Sequence, residues 1–277
     1  MHPVAKAVWY IEAHLADDMS LSDLSAVAGV SPYHLARSFS ALTGLPPMRY
    51  VRLRRLSRAA VALAGFRASI LLIALEAGYG SHEAFTGAFV THFGTTPAMV
   101  RKSGDLNNLK LAKPVRMTDT PYDTLADPEI VESGSHLIAG LRKRYGPDTA
   151  AEIPNQWQAF VPHIGQIPDQ AGNAAFGVRY NSDGEGHLDY LTGVEVSSFS
   201  DLPCEFENLR LPPQRYAVFA HQGHVSDIRR TWHTIFRDWI PAHNIEIRDA
   251  PDFERYADDF DPATGTGRIE IWIPLLP

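Results

Sequence analysis

Residues 190–196, YLTGVEV, set a carboxylate where a binding group would stand. Strand side chains alternate, so Val194 and Val196 share one face and Glu195 shares the other with Gly193 and Leu191. The valines claim the packed side. Glu195 then projects from the opposite side, and Gly193 is expected to leave room beside it. The last strand-like stretch, RIEIWIPL, divides in the same way. Ile269, Ile271 and Ile273 form its apolar face, and Glu270 and Trp272 its other face. A desolvated carboxylate is costly without a partner. An incoming cation supplies one, and an aromatic face adds roughly 0.5–2 kcal/mol of attraction. Glu195 and Trp272 are therefore expected to share a cleft that recognises a cationic or hydrogen-bond-donating aromatic molecule. A salt bridge from Glu195 to Arg179 is the competing expectation.

Other chemistry has less support. His221 and His224 in HQGH lack a third ligand at metal-binding spacing, so no metal is expected. TGTGR precedes a strand rather than a helix and is no phosphate loop. No nucleophile elbow is present, and no cofactor is expected. Cys204 is the only cysteine, the N-terminus lacks a signal-peptide layout, and no apolar run reaches membrane length. Together these features point to the cytoplasm and away from a membrane.

The elements that must position Glu195 and Trp272 lie in an acidic half. Residues 114–277 carry 13 Lys/Arg against 25 Asp/Glu, whereas residues 1–113 carry 12 against 7. A basic half joined to an acidic one suggests an anion-seeking part and a part with another task. From about residue 115, strand and helix patterns alternate: a helix near 148–167 carrying Trp157 and Phe160, strands 174–181, 187–198 and 215–223, a helix near 226–244, then strands 245–256 and 268–277. The order strand, helix, strand, strand occurs twice, an α+β class with two helices covering a duplicated unit.

The basic half repeats internally. GVSPYHLARSFSALTGLPP begins at Gly29 and GYGSHEAFTGAFVTHFGTTP at Gly78, with Phe39/Phe89, Gly44/Gly94 and Pro47/Pro97 each fifty positions apart. Each copy has a short apolar helix, a Gly turn, a capping serine (Ser31, Ser81) and a helix ended by Gly, the layout of a helix-turn-helix. Between them runs an Arg-rich helix, PMRYVRLRRLSRAAVALAG, whose Tyr50, Leu53, Leu56, Ala60 and Leu63 should face the core.

Residues 3–103 resemble the DNA-binding domain of the AraC/XylS family of transcription regulators, most specifically through GYGSHEAFTGAFVTHFGTTPAMVR. The resemblance implies an all-α double helix-turn-helix domain over 1–103, a linker at 104–114, and two recognition helices set into successive major grooves. Tyr33, His34, Ala36, Arg37 and Ser38 become DNA-facing candidates in the first helix, and His82, Glu83, Thr86 and Gly87 in the second. Arg37 is the strongest, because a guanidinium can pair both acceptors of guanine. Gly87 stands fifty positions later, where the family often has Arg, so the first helix should carry more of the specificity. Leu35, Phe39, Phe85 and Phe89 should be core.

Residues 115–277 resemble the GyrI-like small-molecule-binding domain through YLTGVEV, PPQRYAVFAHQG, the Trp-bearing helix, DAPDFERY and IEIWIPL. That resemblance implies a groove lined by acidic and aromatic residues: Glu195, Glu254, Tyr256 and Trp272, with Trp157, Phe176 and Tyr190. The expected protein is a cytoplasmic, non-enzymatic transcription regulator whose partners are duplex promoter DNA, a small-molecule effector and RNA polymerase. Two helix-turn-helix units in one chain can read an asymmetric site as a monomer. The alternatives are a hydrolase of small aromatic compounds using Glu195 as base, and a protein-interaction module.

Overall fold

The computed structural model describes residues 2–65, 68–115, 125–243 and 245–276. Among the described residues, seven helices come first: α1 (Pro3–Ala13), α2 (Leu21–Ala28), α3 (Pro32–Thr43), α4 (Pro47–Ala64), α5 (Ile70–Glu76), α6 (His82–Phe93) and α7 (Pro97–Ser103). There follow β1 (Glu129–Ser133), β2 (His136–Tyr145), α8 (Ile153–Phe160), β3 (Gln170–Tyr180), β4 (Leu188–Val196), β5 (Glu207–Leu211), β6 (Gln214–His221), α9 (Ile228–Thr234), a π-helical turn (Ile235–Trp239), α10 (Ile240–His243), β7 (Asp252–Tyr256) and β8 (Ile269–Pro274). Contacts divide the chain into two compact units, Met1–Gly29 with Pro47–Asp119, and Val30–Pro46 with Thr120–Pro277. Helix α3 thus groups with the second unit.

The fifty-residue repeat is visible in the helices it specifies. Helices α3 and α6 are each 12 residues long, each is capped by a serine hydroxyl accepting a backbone N–H, and each stops at a left-handed glycine, Gly44 (φ 73°) and Gly94 (φ 69°). Only glycine takes that conformation without steric cost, so the helices end there.

The core of the first unit forms where Leu56, Ala60 and Leu63 of α4 meet Ile73 of α5, Phe85 and Phe89 of α6, and Val100 of α7. Leu106, Leu109 and Leu111 from the segment expected to be a linker pack on the same core. Ala112 accepts a bond from Arg54 and donates one to Ser57 Oγ (2.9 Å), so this segment is fastened to α4. Two of the interhelical arginines are therefore structural. Arg54 forks onto Glu12 of α1 through Nε and Nη2, both at 2.8 Å, and Arg55 donates to the carbonyls of Leu15 and Asp17.

In the second unit one antiparallel sheet runs β1-β6-β8-β7-β3-β4-β2-β5. The two strand triplets, β2-β4-β3 and β6-β8-β7, are those of the duplicated unit, joined where β3 pairs β7. Strands β1, β2 and β5 have no counterpart in the sequence reading. Only Gly134 and Ser135 separate β1, at one edge, from β2, next to the other edge. So short a link curls the sheet until its ends meet. Ile138, Phe176, Val178, Leu191, Tyr216 and Phe253 fill the inside of the curl. The outer face is covered by α3 and α8–α10, which bury Val194 and Val196 on one repeat and Ile271 and Ile273 on the other. No helix among the described residues is long and apolar enough to cross a membrane.

The Glu12 fork gives a test of the first unit. Burial opposes ionisation of Glu12, but hydrogen bonds from Arg54 and Tyr50 outweigh it and hold the carboxyl below its ordinary range. A depressed folded value means the stabilisation is present above the unfolded value of about 4.3 and fades as pH falls through the folded one. Glu12→Gln should therefore cost about 1–2 kcal/mol at pH 7 after solvent screening. The difference from wild type should shrink below about pH 4. Urea unfolding of the two chains across that range measures both.

Candidate functional site

Strand β7 alternates Asp252, Glu254 and Tyr256 onto the helix-covered face and Phe253 and Arg255 onto the inside of the curl. Asp252 and Glu254 are 1% and 8% exposed, so each must find donors. Glu254 accepts from Trp232 Nε1 of α9 (2.7 Å), Tyr256 Oη (3.0 Å) and Tyr190 Oη of β4 (3.3 Å). Trp157 of α8 donates its indole N–H to Tyr190 Oη (3.0 Å) and meets the Tyr256 ring edge-on at 4.7 Å. Gly177 of β3 pairs with Glu254 across the strands. A Cβ there would collide with the Tyr190 hydroxyl and lie 3.2 Å from Glu254 Oε2, so glycine is what lets the two meet. Burial, then the Glu254 charge, raises Tyr190 and Tyr256 well above the ordinary phenol value, keeping both hydroxyls as donors. All three donors to Glu254 are neutral. The site is a buried carboxylate in a box of two tryptophans and two tyrosines.

Asp252, two residues away, is held differently. It accepts from Arg179 Nε of β3 (2.9 Å), an Arg37 terminal nitrogen of α3 (2.8 Å) and Tyr33 Oη of α3 (2.8 Å). Burial pushes this carboxyl up, against the charge and hydrogen bond of Arg179 and the hydroxyl of Tyr33. The Arg179 guanidinium lies 3.6 Å over the Trp232 ring, and Arg37 lies 5.3 Å over the same ring and 5.4 Å over Phe236.

The ligand-binding candidates thus form two groups on opposite faces of the sheet. Glu254, Tyr256, Tyr190 and Trp157 come together under the helices. Glu195, Trp272 and Phe176 face the inside of the curl. Glu195 and Trp272 do share that side, opposite Val194 and Val196, but His136 stands between them. His136 Nδ1 bonds Glu195 Oε1 (2.8 Å), its Nε2 bonds Ser133 Oγ (2.6 Å), and its ring lies 6.5 Å from Trp272. The partner expected for Glu195, Arg179, is committed to Asp252 instead. Trp272 stacks on Phe253 at 5.1 Å and donates its N–H to Glu270 (3.1 Å). Phe176 is packed inside the curl. Gly193 opens no space: a Cβ there would sit 2.7 Å from Ala139 O, Ile138 Cγ2 and Leu191 Cδ2. It pairs with Gly140 where β4 and β2 press together.

The two sets of DNA-facing candidates are also placed differently. Of the first set, Tyr33, His34, Ala36 and Ser38 are buried, and Arg37 is only 11% exposed. Of the second, His82, Glu83 and Gly87 are exposed and Thr86 is half-buried. Hydrogen bonds from its own backbone N–H and from Ser81 hold Glu83 below the usual carboxylate range, so it serves the N-terminus of α6.

Trp232, Arg179, Asp252, Gly177, His136 and Ser133 were not legible as site residues. The period-2 alternation of DFERY, which sets Asp252 beside Glu254, is the one local signal that pointed to any of them. His221 bonds Thr231 through one ring nitrogen and the His224 carbonyl through the other, and among the described residues no three metal-type ligands cluster.

A helix-turn-helix repeat followed by a duplicated antiparallel sheet defines a class: transcription regulators that carry a small-molecule-binding domain. Comparison with known proteins gives the family. The profile of the GyrI-like small-molecule-binding domain matches residues 126–276, and that of a helix-turn-helix domain matches residues 24–103. The chain is 28% identical to the transcriptional regulator Rob of Salmonella typhimurium, over 97% of this chain and 96% of that protein. It is also 28% identical to the right origin-binding protein of Escherichia coli K12, over 97% and 94%. A solved transcriptional regulator with an AraC-type DNA-binding domain from Chromobacterium violaceum matches with a TM-score of 0.36 and 30% identity, over 38% of this chain and 94% of that one. The chain belongs to the GyrI-like family and carries an AraC-type helix-turn-helix region at its N-terminal side; it is a transcriptional regulator with a small-molecule-binding domain.

The close approach at Gly193 is testable. Gly193→Ala should destabilise the chain by about 1–3 kcal/mol or more, because the groups it meets include backbone that cannot yield. Were Gly193 a floor for ligand, urea unfolding would be unchanged and only binding would fall.

Proposed function

We propose that the chain is a cytoplasmic regulator that reads promoter DNA through residues 1–103 and senses a lipophilic aromatic cation at Glu254, within the ligand-binding region 115–277. The observation that carries this reading is the donor set of Glu254, a buried carboxylate whose hydrogen bonds come from Trp232, Tyr256 and Tyr190 and from no cation. A negative charge in that position gains most from an arriving cation, since Coulomb attraction is strong where water is excluded. Trp157, half-buried at the edge of the box, is the ring that swings out to admit a flat molecule. Tyr190 and Tyr256 then offer π faces to the cation. The chain acts as a sensor rather than an enzyme, with RNA polymerase as its downstream partner, and two recognition helices allow it to work as a monomer.

Binding of rhodamine 6G, a flat cationic dye, to the full chain tests the assignment. Glu254→Gln keeps the shape and should weaken binding more than tenfold, about 1.4 kcal/mol, while a neutral analogue of the dye binds both chains alike. Glu195→Gln should leave the affinity within twofold. The reverse pattern would move the ligand to the inside of the curl.

One observation favours a hydrolytic second reading. In Ser133–His136–Glu195 the imidazole accepts from a serine through Nε2 while a carboxylate holds Nδ1, the order in which a base activates a hydroxyl. A fluorophosphonate probe discriminates the two. A regulator leaves Ser133 unlabelled; labelling lost in Ser133→Ala would establish a reactive serine.

A further inference from the structure

We propose that the effector-binding fold holds α3 away from DNA, and that a ligand at Glu254 releases it through Trp232. This inference rests on the reading that Glu254 is the ligand site and α3 the principal DNA-reading helix.

Helix α3 packs on the π-helical turn and on α9, and Tyr33 joins the apolar cluster formed by Trp232, Ile235 and Phe236. The residues that do the docking are the ones that would read bases. The Arg37 guanidinium, needed free and fully extended to pair guanine, is bound to Asp252 and held against two aromatic rings. The Tyr33 hydroxyl donates to the same carboxylate oxygen. Asp252 therefore acts as a surrogate acceptor that occupies α3. The arrangement is self-consistent only while docked: with α3 gone, Asp252 keeps Arg179 alone.

Trp232 connects this lock to the ligand site. Its indole N–H donates to Glu254, while its ring carries Arg179 and Arg37. A cation that takes Glu254 competes with that N–H. Once Trp232 turns from Glu254, its face also leaves the two guanidiniums, and Arg37 loses both a π contact and the wall that fixes it on Asp252. Ligand and docked α3 thus require different positions of one side chain. That is a differential affinity for two states, which is what a ligand needs in order to shift an equilibrium. The coupling is reciprocal: DNA that captures α3 raises the affinity for ligand by the same factor.

Two measurements on the full chain decide this. First, hydrogen exchange with and without saturating rhodamine 6G should show faster exchange of the Tyr33–Phe39 amides when dye is bound, with α6 unchanged. Bound dye with α3 protection unaltered overturns the coupling while leaving the Glu254 site intact. Dye that fails to bind overturns the ligand reading, and the coupling with it. Second, Asp252→Asn should bind duplex DNA, selected from a randomised pool by that variant, at least tenfold more tightly than wild type does without dye at the same salt. Equal affinity overturns the docking. Where Asp252→Asn unfolds, as judged by circular dichroism, Phe236→Leu, which removes one ring from under Arg37, replaces it with the same expected direction and the same overturning result.

Discussion

Asp252 and Glu254 are the constraint from which the second unit is arranged. Two carboxylates on one short strand face the same covered side of a sheet, and burying ionised groups is tolerated only when their lone pairs are met. Donors come from several elements: Arg179 from β3, Tyr190 from β4, Trp232 from α9, Tyr256 from β7 itself, and Tyr33 and Arg37 from α3. The solutions differ. Asp252 is neutralised by two guanidiniums, and Glu254 is solvated by neutral N–H and O–H groups. Guanidiniums bond the first position directly and reach the second only through space, from Arg179.

The place of that pair in the sheet matters. Strands β3 and β7 join the two repeats, and Gly177 stands opposite Glu254 with Arg179 opposite Asp252. One repeat supplies a gap and a cation, and the other supplies the two anions. The seam of the duplication is consequently where a polar site can be built without interrupting either repeat's apolar packing, which lies to each side in the Val194–Phe160 and Ile271–Phe236 clusters. The inside of the curl has a different character. It is filled by aromatic and branched side chains, and among its polar groups His136 bonds both Glu195 and Ser133.

What could be read from the chain follows the range of the interactions involved. The helix-turn-helix repeat was legible because caps, glycine stops and the Phe85–Phe89 stripe are set within a dozen residues. The facing of Glu195 and Trp272 away from the isoleucine and valine sides was legible from period-2 alternation alone. Their surroundings were not. The partner of Glu195 lies 59 residues away, and that of Tyr33 lies 219 away. Strand β2 hid because Gly140 and a run of Arg142, Lys143 and Arg144 blur its alternation; its glycine answers Gly193 on β4, a pairing no local pattern announces. Arg255, adjacent to Glu254 in sequence, pairs with Glu270 on the opposite face, as strand alternation requires.

If α3 and α6 are the recognition helices, their inequality gives the proposed docking its consequence. Helix α6 presents His82, Glu83 and Gly87, a set with no long donor and one carboxylate that serves its own N-terminus. Such a surface contributes little discrimination among bases and some repulsion from phosphate. On the proposed reading, base discrimination is concentrated in Arg37 and its neighbours on α3. The excess of basic residues in 1–113, in contrast, attracts any duplex through its phosphates. On the reading proposed above, restraint of α3 removes sequence discrimination and leaves the non-specific attraction in place. The unliganded protein would then remain on DNA without selecting sites, and the effector would convert a resident protein into a selective one instead of recruiting it from solution. A switch of that kind acts on the specific term of binding, which is worth several kcal/mol, about 4–10 in typical regulators, and spares the salt-dependent term.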